Sequence, residues 1–347
     1  MANEKEVFIP VQGSIYMPGN DDKRSLRIIY SIPEKGMNEE TGILCLIPAY
    51  MGNLNSNVYH KMRSHFADAY NMAVLQCDYF GIQHMGIFQE ELSKMMQSGE
   101  FKSSMDIIPK ENWSDCNDMG AMQALDVISM IFWFLRKIDE TGLPFNPEKI
   151  IAYGSSHGSY LAYLINRFCP GLLKLIIDVS AYVYPVFLET ERSLCIDVTN
   201  AKKRVTQKIA YLVMREPHMR LQKEFYDLSL LYNDFRNDCR IISFHGTEDK
   251  MISIEEKEQF IKAAGENAAL VAVRPCDADG RLYKDAGHGL GVDLIKLYSF
   301  IEKMMPFSQG RSLLLPEFVC IQGECDWLEL SYTNLYPVLK WVKSQAE

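Results

Sequence analysis

Two hydrophobic periods alternate along this chain. Short continuous apolar runs, the pattern of strands covered on both faces, stand at "GILCLIPAY" (Gly42–Tyr50), "MAVLQCDY" (Met72–Tyr79), "KIIAYG" (Lys149–Gly154), "LLKLIIDVS" (Leu172–Ser180), "RIISFHG" (Arg240–Gly246) and "ALVAVRP" (269–275). Between them lie segments with helical spacing. Val58–Tyr70 predicts a helix, and Asp115–Ile138 predicts a long one, with Met122, Leu125, Ile128, Phe132 and Leu135 on one stripe. Further helices are expected up to about Phe168, over "SIEEKEQFIKAAG" and over "VDLIKLYSFIEKM". Two strands, Glu6–Tyr16 and Leu26–Ile32, precede the first buried run. Alternation of this kind predicts a layered α/β fold.

The alternation fails in two places. Val183–Asn237 has a helical pattern, many charges and the aromatics Tyr211, Phe225, Tyr226, Tyr232 and Phe235, without a convincing buried strand. This predicts a helical cap insertion, residues 183–237, the alternative being extra surface helices. From Ser312 on, "LLLPEFVCIQGECDWLEL" predicts a hairpin and a last helix, a C-terminal extension over 312–347. The core is then expected over 1–182 and 238–311.

Composition narrows the function classes. At 347 residues and 48% hydrophobic, the chain is long and apolar enough for a large core. Its net charge of −9 argues against nucleic acid or an anionic membrane as the general partner. The nine cysteines form no Cys-x-x-Cys pair, and Cys320 and Cys325 lack zinc-ligand partners. Cys45 and Cys77 sit in apolar runs and read as core thiols, so a reducing, cytoplasmic compartment is expected. "MANEKEVFIP" has acidic residues and no apolar stretch of signal-peptide type. "VISMIFWFLRK" is too short to span a bilayer and reads as a buried helix.

The chemistry-bearing stretch is "KIIAYGSSHGSYLAYLI", where a strand gives way at once to a helix. Gly154-Ser155-Ser156-His157-Gly158 matches G-x-S-x-G, with Ser156 central. A serine on such a sharp turn projects its hydroxyl above the sheet, and the flanking positions must be small for the turn to close. Ser155 and Ser159 read as turn and helix-cap residues. A serine hydroxyl needs a base, and the base needs a carboxylate to orient it. Downstream, Asp249 follows the strand "RIISFHG" and His288 lies in the loop "LYKDAGHGLG". The rival acids are Glu248, expected in solvent, Asp279 in the turn "CDADG", and Asp285, which could cap the histidine loop. His245 is expected to shape the acid loop. His60 and His65 are expected at the surface or half-buried on a helix. The backbone N–H of His157, at the start of a helix, is an expected oxyanion donor. A second donor is expected from "IPAYMGNLNS", with Tyr50, through its N–H or its hydroxyl, or Met51; a core aromatic at the strand end is the other reading of Tyr50.

With these three segments in this order, the chain resembles the α/β-hydrolase superfamily over roughly Leu26–Met305, most of all its esterase, dienelactone-hydrolase and prolyl-oligopeptidase-like branches. "NPEKIIAYGSSHGSYLA" is similar to the nucleophile segment, "HGTEDKMISIEEKEQF" to the acid segment and "DAGHGLG" to the histidine loop. The resemblance implies an eight-stranded, mostly parallel sheet with helices on both faces. It also implies a Ser156–Asp249–His288 triad and hydrolysis of a small-molecule ester or acyl substrate, a carboxylic ester ahead of a peptide or amide, with no metal or organic cofactor. The chain departs from the pattern in lacking a His-Gly pair in the oxyanion loop, where Pro48-Ala49 stands. An acyltransferase with the same triad and a non-catalytic binding protein on this fold are the alternatives.

Overall fold

Alternate residues of the run at 42–47 enter two different cores. Ile43, Cys45 and Ile47 join one buried cluster and Leu44 and Leu46 the other, the period of two that a strand imposes. The computed structural model describes residues 2–17, 22–50, 52–85, 94, 97–98, 104–107, 111–185, 192–200, 203–211, 222–310 and 312–343. In chain order the elements are β1 (Asn3–Gln12), β2 (Lys23–Ile32), β3 (Gly42–Ile47), α1 (Asn57–Tyr70), β4 (Met72–Cys77), β5 (Ser104–Ile107), α2 (Ala121–Thr141), β6 (Ile150–Ser155), α3 (His157–Phe168), β7 (Leu175–Val179), β8 (Arg192–Asn200) and β9 (Lys203–Tyr211). They continue with α4 (Leu228–Asn233), β10 (Arg240–Gly246), α5 (Ile254–Ala263), β11 (Ala268–Val273), α6 (Leu294–Met304), β12 (Phe318–Gln322), β13 (Trp327–Ser331) and β14 (Val338–Val342).

Eight strands form the central sheet in the order β1-β2-β4-β3-β6-β7-β10-β11. β1, β2 and β4 pair antiparallel, and every pairing from β4 to β11 is parallel. Met62 and Phe66 of α1 and Leu297, Tyr298 and Ile301 of α6 cover one face. Residues of α2, α3, α4 and α5 cover the other. β3 and β6 are neighbours, but the chain leaves them for opposite faces, into α1 and α3. Their C-terminal ends therefore open a crevice at the point where the strand order reverses, the usual place for a ligand in such a sheet.

α2 begins at Ala121, not at Asp115 as its apolar stripe suggests. Met119 is held at φ +50°, and the Asp118 carboxylate accepts the N–H groups of Met122 (2.7 Å) and Gly120 (3.3 Å). The buried Asp118 thus caps the helix, and the hydroxyl of Tyr16 donates to it at 2.9 Å. Burial pushes the Asp118 carboxyl up to about 6, against the pull of the Met122 N–H, the Tyr16 hydroxyl and the Gly120 N–H. The folded state therefore binds more protons than the unfolded chain between the ordinary value of 3.8 and about 6, and stability falls as pH rises through that window. Asp118→Asn is expected to flatten this fall, read from urea unfolding of both proteins at pH 4.5 and 6.5.

Two expectations are corrected. Among its described residues, the segment 183–237 has more strand than helix and is not the helical cap expected. β8 and β9 make an antiparallel hairpin, and β5 pairs parallel with β9. α4 is the one α-helix among the described residues of that segment. Leu194, Ile196 and Val198 recur with period two in the sequence, and this alternation outweighs the charged composition. The C-terminal extension ends in a strand instead of a helix: β12, β13 and β14 form a three-stranded antiparallel sheet. "VLKWV" alternates too, and its Leu339 is fully buried opposite Leu330. The sheet docks on the core through Tyr332, whose ring meets Phe132 edge-on at 5.4 Å and whose hydroxyl donates to the Phe168 carbonyl at 2.5 Å. The Arg136 guanidinium lies 3.9 Å over the Tyr336 ring.

Candidate active site

Ser156 stands between β6 and α3 at φ +52° and ψ −117°, a backbone region that a side chain rarely occupies. The flanking glycines let it stay there. A Cβ on Gly158 would lie 2.3 Å from the Ile47 carbonyl oxygen, and one on Gly154 would lie 2.5 Å from the Gly158 carbonyl carbon and the Ser159 nitrogen. The turn therefore closes directly against the end of β3. Ser159 is buried, and its hydroxyl accepts the Val179 N–H at 3.0 Å.

His288 reaches Ser156 from the loop before α6, its Nε2 2.8 Å from Ser156 Oγ. Its Nδ1 lies 2.8 Å from Asp249 Oδ2. An ionised carboxylate can only accept, so Nδ1 carries the proton and Nε2 offers its lone pair to the serine hydroxyl. The other Asp249 oxygen accepts the N–H groups of Met251 (2.8 Å) and Ile252 (3.3 Å). Burial opposes the charge of Asp249. The hydrogen bond and charge of His288, the Met251 N–H and the charge of His245 outweigh it and hold the carboxyl below its ordinary value. The acid and histidine loops touch through their backbones. Glu248 N–H donates to the Ala286 carbonyl at 2.9 Å, and a Cβ on Gly246 would lie 2.0 Å from that same oxygen.

The rival acids serve turns. Asp285 accepts the Gly287 N–H at 2.9 Å, and Asp279 accepts those of Arg281 (2.8 Å) and Leu282 (3.3 Å). Glu248 is exposed. His245 is fully buried, with its Nε2 3.1 Å from the Ile252 carbonyl and 3.7 Å from Asp249 Oδ2. Burial, with the charge of Lys257, pushes its imidazole below the usual value, and the ring braces the acid loop through the Ile252 carbonyl. His60 and His65 are exposed on α1.

His157 points its ring into the core, away from the serine hydroxyl's partner. Its Nδ1 meets the Tyr182 hydroxyl, and its Nε2 lies 2.6 Å from Gln123 Oε1. Gln123 donates its amide to the Phe80 carbonyl (3.0 Å) and to Asn117 Oδ1 (2.9 Å), so its oxygen accepts from His157 Nε2–H. Nδ1 then accepts from Tyr182. The ring anchors the peptide that follows Ser156. Tyr50 is half-buried with its ring edge-on to His157 at 6.3 Å, and Gly52 N–H closes a turn onto the Ala49 carbonyl at 2.8 Å. Met51 lies outside the described residues. Arg63, 1% exposed, holds this loop from α1 by donating to the Leu54 carbonyl at 3.0 Å.

Among the described residues, no group of three or more His, Cys, Asp or Glu side chains is placed to hold a metal ion. No helix among them is long and apolar enough to cross a membrane.

The family described as "Protein of unknown function (DUF2920)" matches residues 85–191. No curated protein matches the chain. Among solved structures, Est1E from Butyrivibrio proteoclasticus with ferulic acid bound is similar at 14% identity, covering 81% of this chain and 94% of that one, with TM-score 0.49. Thermogutta terrifontis esterase 2 phosphonylated by sarin is similar at 17% identity, covering 85% and 92%, with TM-score 0.46. A "putative dipeptidyl aminopeptidase IV" from Bacteroides ovatus is similar at 11% identity and TM-score 0.51. That superposition takes in 87% of this chain and 35% of the longer protein.

The chain has the α/β-hydrolase fold.

Within this fold Ser156 lies on the turn between β6 and α3, Asp249 in the loop after β10, and His288 in the loop before α6. Three groups that hold this site together carried a signal in the sequence that motif reasoning passes over. Gln123 is a lone amide in the apolar stretch "AMQALDVISM", and Asp178 is a lone charge in "LIIDVS". A polar group inside an apolar run calls for a buried partner. Asp178 has one: Lys257 Nζ lies 2.6 Å from its Oδ2, with both side chains fully buried. The third is Ser180, a small residue two positions after that buried charge.

Proposed function

We propose that this protein is a serine hydrolase that cleaves a carboxylic ester through an acyl-enzyme. The observation that carries the reading is the hydrogen-bonded line from Ser156 Oγ through His288 to Asp249, 2.8 Å at each link, on a strained strand-to-helix turn. His288 Nε2 takes the proton as Ser156 Oγ attacks the ester carbonyl. The imidazolium then gives that proton to the leaving alkoxide as the carbon–oxygen bond breaks. Water attacks the acyl-enzyme, again with His288 as base, and releases the acid and free Ser156. Asp249 keeps His288 in the working tautomer and stabilises the imidazolium. The His157 N–H, fixed by the buried ring of its own residue, serves as one oxyanion donor. The loop 48–52 supplies the second, since β3 ends against the elbow; Tyr50 and Met51 are its candidates. The eight free cysteines among the described residues favour a reducing, cytoplasmic compartment.

The test is labelling with a fluorophosphonate probe, with mass mapping of the adduct. Stoichiometric labelling at Ser156 is the expected result. An unlabelled folded protein, beside a control esterase that labels in the same tube, would overturn the reading. Hydrolysis is told from acyl transfer by product analysis with an alcohol acceptor present.

A further inference from the structure

The end of β7 touches all three arms of the site. The Ser156 N–H donates to the Val179 carbonyl at 2.7 Å, which ties the elbow to β7. The next N–H, that of Ser180, donates to the Phe244 carbonyl at 2.9 Å, on the strand that leads to Asp249. The Ser180 hydroxyl accepts the Gly289 N–H at 3.0 Å, on the residue after His288.

Ser180 is fully buried and held at φ +56°, where a glycine would be unstrained. What serine adds over glycine there is the hydroxyl. The peptide that follows is clamped from both sides. Ala181 N–H donates to Asp178 Oδ1 at 2.8 Å, and its carbonyl accepts from Lys257 Nζ at 3.0 Å. The buried ion pair thus fixes the strained residue, and the strained residue presents its hydroxyl to the histidine loop. In that loop Gly289, Leu290 and Gly291 all have positive φ, and the Leu290 N–H donates to the Gly287 carbonyl at 3.1 Å.

We propose that Ser180 is a positioning residue that sets the reach of His288 to Ser156. The inference rests on the serine-hydrolase reading above. A carbonyl and a hydroxyl on adjacent residues of one strand end hold the nucleophile backbone and the base loop. The 2.8 Å gap between Nε2 and Oγ is therefore gauged across a single peptide. Neither residue touches the substrate in this role.

The experiment compares the wild type with Ser180→Gly, which removes the hydroxyl and relieves the backbone, and with Ser180→Ala, which removes the hydroxyl alone. The fluorophosphonate labelling rate constant, the final label per chain, the melting temperature, steady-state ester turnover and amide exchange at Gly289 are measured. Labelling is expected to slow about 10–100-fold, the scale set by misplacing a reacting group by a fraction of an ångström. Label per chain stays near one, kcat falls while KM changes by less than about twofold, and Gly289 exchanges faster. The melting temperature of Ser180→Gly stays within about 4 °C of wild type. A labelling rate within about twofold of wild type would overturn the proposal. So would a slower rate matched by an equal loss of titratable sites, or failure of both variants to fold, since either makes the role merely structural. A wild type that does not label at all overturns the hydrolase reading itself, a distinct result.

Discussion

On the serine-hydrolase reading, Ser156→Ala is expected to lower ester turnover by about a million-fold, the size of loss seen when a triad nucleophile is removed and binding is left intact. The variant keeps its fold, because alanine differs from serine only by the atom that reacts. Ser156→Gly is expected to be as inactive and to be more stable than wild type by roughly 1–3 kcal/mol, the cost of holding a side chain in a rarely populated backbone region. The two variants separate chemistry from strain. Serine at φ +52° is a stability loss that only the hydroxyl's placement explains. Urea unfolding and ester assays on both variants give the answer. An active Ser156→Ala protein would remove Ser156 from the mechanism, and a Ser156→Gly protein less stable than wild type would remove the strain from the turn.

Lys257→Met destabilises the protein by about 3–5 kcal/mol at neutral pH, because it leaves a carboxylate buried without its cation. In the wild type, burial pushes the Asp178 carboxyl up, but the charge and hydrogen bond of Lys257 outweigh it, with the Ser243 hydroxyl and the Ala181 N–H. The carboxyl stays below its ordinary 3.8. For Lys257 burial wins instead, so its ammonium sits below its usual value. A depressed carboxyl contributes stability that is complete above the unfolded value, near pH 4, and is lost as pH falls through the folded value. In Lys257→Met burial is no longer outweighed by the cation and pushes the Asp178 carboxyl up, so the gap between wild type and variant should be largest at high pH and shrink as pH falls through that raised value toward the wild type's depressed one. Replacing Asp178 by Asn in the same chain should restore part of the loss, since Asn removes the charge and keeps an oxygen for the Ala181 N–H, which Asp178 Oδ1 accepts. An undiminished gap at pH 3 would sink the assignment of the loss to an orphaned charge.

Much of the fold was legible in the chain because its signal is local. Each continuous apolar run from Gly42 to Val273 became a strand; those inside the sheet are covered on both faces and are apolar at nearly every position, while β11 at the edge is half-exposed. The segment 183–237 was misread because its alternation lies under a charged and aromatic composition, and strands of a small separate sheet need no continuous apolar run. The last strand is short, and five residues do not distinguish one face of a helix from an alternating strand.

The sequence by itself determined the order of the elements and the chemistry at the turn: a serine between two glycines at a strand–helix junction, an acid and a histidine each after its own strand. Those are properties of residue type and spacing along one chain. Only the tertiary structure decided which carboxylate serves, because Glu248, Asp249, Asp279 and Asp285 are close in sequence and only Asp249 faces the histidine. Only it decided that the His157 ring is a core anchor, and that the end of β7 joins the three arms. Those assignments rest on hydrogen bonds across 23 to 132 residues of sequence, and a periodic pattern carries no information at that separation.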